Sequence, residues 1–105
     1  MKYIMKVRMS LEKGNEALRD PQFGHKMNEL LTDIKAESAY FSIVDGQRGA
    51  YIIVNMNDAS EMPGIGEPFF AWLDADVEFL PVMKPEDLGK AGPAIGAVMQ
   101  KWGNR

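Results

Sequence analysis

Apolar and polar residues alternate through the first nine positions. Tyr3, Met5, Val7 and Met9 share one side, and Lys2, Ile4, Lys6 and Arg8 the other. A period of two over this length predicts a half-buried strand. Residues 10–20 are polar and interrupted by Gly14, with a helical turn near Asn15–Leu18. Asp20-Pro21 then offers an N-cap followed by proline at the first helical position. Met27, Leu30, Leu31 and Ile34 follow at helical spacing, so a helix is predicted over about 21–35.

Alternation resumes with Ala39, Phe41 and Ile43 against Tyr40, Ser42 and Val44. Asp45-Gly46-Gln47-Arg48-Gly49 has turn chemistry, which predicts a hairpin over 38–57. Its second arm, from Ala50 to Met56, is nearly continuously apolar and reads as a central strand buried on both faces. Asp58, with Glu61 three residues on, resembles a capping box. The second helix should run to about Leu73, irregular or kinked at Pro63, Gly64, Gly66 and Pro68. Val77, Phe79 and Pro81 alternate with Glu78, Leu80 and Val82 in a last strand. Pro81 has no N–H to donate, which puts it at an edge. After Lys84-Pro85, Glu86–Leu88 form one turn. Ile95, Val98, Met99 and Trp102 then mark a tail helix over about 93–102, with Trp102 as an anchor against a partner or the last strand.

The order β-α-β-β-α-β plus a C-terminal helix predicts an α+β fold with a ferredoxin-like arrangement, in one domain over 1–105. Two helices would cover one face of a four-stranded antiparallel sheet. The other face would hold Ile4, Val44, Ile53, Leu80 and Val82 among Lys6, Arg8, Tyr40, Ser42, Tyr51, Asn55 and Glu78. That mixture is too apolar for a solvated face and too polar for a plain core. Apolar patches of this kind mark contact surfaces, and mixed cavities bind small ligands. The expectation is a homodimer whose two sheets face each other across a lined cavity.

Composition narrows the chemistry. A net charge of −3 over 105 residues argues against nucleic acid, and no apolar run approaches the ~20 residues of a membrane span. The alternating N-terminus is not a signal peptide, so a cytoplasmic protein is expected. No Cys and one His leave no disulfide, thiol nucleophile or ordinary zinc site, and no cofactor is implied. Gly64-Ile65-Gly66 lacks the third glycine of a dinucleotide loop, because Phe69 stands in that place.

The chain resembles the dimeric α+β barrels, small ferredoxin-like proteins that include antibiotic-biosynthesis-type monooxygenases, muconolactone isomerases and stress-responsive barrel proteins. The likeness rests on element order over the full length. Residues 58–96 look closest to small bacterial barrel proteins of unassigned function. They run from Asp58-Ala59-Ser60-Glu61-Met62-Pro63 through Gly66-Glu67-Pro68-Phe69-Phe70 and Val77-Glu78-Phe79-Leu80-Pro81-Val82-Met83 to Pro85-Glu86-Asp87-Leu88. The resemblance implies the fold and the dimer, and no particular reaction.

Lys6 and Arg8, two apart on one strand, point the same way. In a lumen they would bind an anion, or Glu78 on a neighbouring strand would neutralise one of them. Tyr40, Tyr51 and Asn55 would add hydrogen bonds to a ligand. His25 and Glu78 are the candidates for proton transfer. At about 100° per residue, however, His25 lies about 160° from Met27 and should face solvent. The expected function is binding of a small anionic or aromatic molecule; the alternative is a cofactor-free monooxygenase or isomerase.

Overall fold

The computed structural model describes residues 1–104. Within them lie strands β1 (Lys2–Arg8), β2 (Ser38–Val44), β3 (Gln47–Asn55) and β4 (Asp76–Val82). Five helices accompany them: α1 (Leu11–Leu18), α2 (Phe23–Asp33), α3 (Met62–Leu73), α4 (Pro85–Lys90) and α5 (Gly92–Trp102). The strands form one antiparallel sheet in the order β2-β3-β1-β4. The molecule is thus a mixed α+β fold, with Pro81 on an edge strand as its missing donor requires.

The side of β1 that carries Met5, Val7 and Met9 is buried under the helices together with Ala50, Ile52 and Val54 of β3. Met27, Leu30 and Ile34 come down from α2 and its C-cap, and Ile65, Phe69 and Leu73 from α3. This is the predicted core, and among the described residues no polar side chain is buried in it. Gly66 is buried with Phe79 against it, so α3 lies close on the sheet there, whereas Gly64 faces open space.

The structure differs from the expectation at several points, among them that α2 begins at Phe23, with Gln22 and not Asp20 in the cap position. Residues 11–18 form a full helix. Ser10 caps it, its Oγ accepting from the Lys13 N–H at 3.0 Å. Gly14 does not break α1; its bare Cα faces inward, where a methyl group would stand 3.3 Å from the Arg48 guanidinium. The hairpin turn is only Asp45-Gly46, both with positive φ, as a two-residue loop between twisted strands demands. Gln47, Arg48 and Gly49 belong to β3, where any Cβ on Gly49 would collide with the Val7 carbonyl oxygen. Strand β3 is central but buried on one side only, since Tyr51 and Asn55 are exposed. Finally, the expected capping box of Asp58 and Glu61 is present, but it closes a short 3-10 turn before α3, which is one continuous helix through Pro68.

The C-terminal segment stands off the body. Every residue of α4 and α5 is exposed. The radius of gyration is 17.9 Å, against about 13 Å for a compact chain of this length, and the long axis reaches 59 Å. Trp102 keeps company with Lys101, whose Nζ lies 5.2 Å from its ring, and is itself exposed.

Candidate functional site

Register arranges the outer face of the sheet in four cross-strand rows. Asn55, Lys2 and Val82 form the first; Ser38, Ile53, Ile4 and Leu80 the second. Tyr40, Tyr51, Lys6 and Glu78 form the third; Ser42, Gly49, Arg8 and Asp76 the fourth. Successive rows are two residues apart, or about 7 Å. The face is therefore mixed, with an apolar row flanked by charged ones. Val44, one step beyond the fourth row, is the exception to its expected exposure. It is fully buried against Gly49, apart from the main core.

Sequence reasoning grouped Lys6, Arg8, Tyr40 and Tyr51, and register does bring these four into adjacent rows. Lys6 stands directly between Tyr51 and Glu78. Its ion pair, however, is with Asp45 in the hairpin turn, at 2.8 Å. Arg8 uses Nη2 and Nε to hold the Asp76 Oδ2, at 2.7 and 3.2 Å. Lys6, Arg8, Asp45 and Asp76, with Glu78, Phe70 and Val77, line an open depression of about 480 Å³, and Tyr40 and Tyr51 lie outside its lining. The Asp45 hydrogen bond raises the Lys6 pKa above its ordinary value; desolvation opposes it, and the charges of Asp45, Glu78 and Tyr51 add to the rise. Reciprocally, the Lys6 hydrogen bond and charge hold the Asp45 carboxyl below its usual value.

Asn55 lies elsewhere. It is four residues from Tyr51 along β3, about 13 Å, and belongs to a second depression of about 480 Å³ at the other end of the face. Lys2, Glu37, Lys84 and Asp87 surround it there. The Lys2 ammonium reaches Glu37 Oε1 at 2.7 Å, and that bond lowers the Glu37 pKa. His25 joins neither group, for it is exposed on α2, in the helix layer behind the sheet.

Asp45 and Asp76 are the site residues that sequence reasoning missed. Asp45 was visible only as turn chemistry, and Asp76 only as part of the connector between the helix ending near Leu73 and the strand from Val77. Asp76 stands 68 positions from Arg8, and only the β1–β4 register reveals the pairing. No group of His, Asp and Glu able to hold a metal ion occurs among the described residues. No protein-family model matches this chain, and no curated protein is similar to it in sequence.

Proposed function

We propose that the chain works as a homodimer of the ferredoxin-like α+β-barrel type, binding a small aromatic or anionic molecule between two facing sheets. The observation that carries this reading is the outer face itself. It combines an apolar row with a Tyr40–Tyr51–Lys6–Glu78 row in one patch that the chain leaves uncovered. A second copy would turn two such patches inward and close the space between them.

The local charges favour an aromatic ligand over a purely anionic one. Three carboxylates, Asp45, Asp76 and Glu78, surround the two cations of the larger cluster. An anion must displace Asp45 or Asp76 to reach Lys6 or Arg8. A ring lying over Tyr40, Tyr51, Ile4 and Ile53 displaces nothing and gains apolar contact. Both cations are already held by carboxylates, which favours a binding role over proton transfer.

The test is isothermal titration of the purified protein with 4-hydroxybenzoate and with phenol. The expected result is saturable binding of both, at about 1 mM or tighter, weakened at least tenfold by Tyr51→Ala. Absence of binding by either compound would contradict the reading.

A further inference from the structure

We infer that α5 is an exchange arm that docks on a second copy of this chain, in a groove between α1 and β2 on the helix side of the sheet. The inference rests on the dimer proposed above and adds a contact that facing sheets alone do not contain.

The arm needs a cover. Ile95, Val98 and Met99 recur at i, i+3 and i+4 on one stripe, yet each is between 47% and 58% exposed. An isolated helix of 11 residues is marginal in water, where stability comes from packing an apolar stripe.

The same chain carries an uncovered counterpart. Phe41 and Ile43 point to the helix side of β2, but the helix layer does not reach them. On α1, Leu11, Asn15 and Leu18 share one side at i, i+4 and i+7. Arg48, paired across the hairpin with Ile43, donates to Asn15 Oδ1 at 2.8 Å, which turns that side of α1 toward the β2 edge. Leu11 and Leu18 of α1 and Phe41 and Ile43 of β2 are thus exposed apolar residues on the two elements that flank Arg48, each between 47% and 70% exposed, and the space between them is the proposed groove. The outward parts of these four side chains and the three on α5 come to on the order of 700 Å² per chain, close to the ~800 Å² per partner of a stable complex.

Topology directs the arm to another copy. It leaves β4 beside Lys2, whereas the groove lies at the Arg8 end of β2, on the opposite sheet edge. Three strand spacings across and six residues along separate those corners, about 14 Å by about 20 Å. The chain's own α3 also packs over the β4 side. Two sheets stacked outer face to outer face about a two-fold axis parallel to the strands place the partner's β4 edge beside β2. The partner's arm then crosses the sheet spacing of about 10 Å around the β2 edge to the helix side and follows β2 to the groove, and the exchange closes reciprocally.

The chain has no cysteine, so single cysteines report cleanly. Equal amounts of full-length Ile43→Cys and Val98→Cys chains would be mixed, allowed to exchange and treated with a short bis-maleimide. The expected product is a covalent heterodimer that neither variant forms alone. A dimer by sedimentation without that product overturns the arm exchange and leaves the facing sheets standing; a monomer overturns both. Val98→Asp provides an independent readout, since Val98 is exposed and the body should fold unchanged. The dimer dissociation constant should rise at least tenfold, and an unchanged constant contradicts the docking.

Discussion

The two faces of the sheet are woven from the same strands, yet they stand in opposite condition. On the helix side Met5, Val7, Ile52 and Val54 are fully buried, and among the described residues no polar side chain joins them. On the outer side Ile4 and Ile53 sit between charged rows, while Leu80 and Tyr40 are largely exposed. The first face is explained by its own chain. The second has the composition of a surface made for something else, because an apolar row bracketed by ion pairs serves neither a core nor a solvated exterior. The difference teaches that alternation in β1 and β3 encodes folding on one phase and, in the function proposed above, recognition on the other.

The largest effect should come from the folding phase. Phe69→Ala empties the centre of the core and should cost about 3–5 kcal/mol, read by urea unfolding. Leu80→Asp, on the outer phase, should leave the circular dichroism spectrum intact while raising the dimer dissociation constant at least tenfold, about 1.4 kcal/mol. If Leu80→Asp unfolded the chain as Phe69→Ala does, the division between the faces would fail. Ser10→Ala removes the cap of α1 and should cost about 1 kcal/mol of unfolding free energy, without altering the association of the outer faces.

The smallest effect concerns the exposed Lys6–Asp45 pair. Asp45 titrates below its ordinary value of 3.8 in the folded chain, so its contribution is present above that value and fades as pH falls through the lower folded pKa. Lys6 titrates above 10.5, so its share is present below that value and is lost as pH rises through the folded pKa. Asp45→Asn should therefore flatten the acid end of the stability–pH curve slightly and leave the neutral region almost unchanged, as urea midpoints at several pH values would record.

Much of the architecture was legible because it depends on local period. The strands around Val7, Ile43, Ile52 and Phe79, and the helices around Leu30 and Phe69, announce themselves by spacing. What escaped depends on distant partners. Gly14 looks like a helix breaker, yet it sits inside α1 with the Arg48 guanidinium beside it. Asp76 looks like a connector until β4 is set in register with Arg8. The apparent two-sided burial of β3 overlooked that Tyr51 and Asn55 alternate with Ile52 and Val54. Of the candidate site, Lys6, Arg8, Tyr40 and Tyr51 could be grouped from strand phase alone. Only Lys6 and Arg8 of these line the first depression; Tyr40 and Tyr51 adjoin it by register, and Asn55, further along β3, belongs to the second.

The central claim is that a second copy covers the outer face. Light scattering on the size-excluded protein at micromolar concentration tests it most directly. The account predicts twice the chain mass of 11.7 kDa, falling to that mass for Leu80→Asp. A wild-type particle of 11.7 kDa would contradict it.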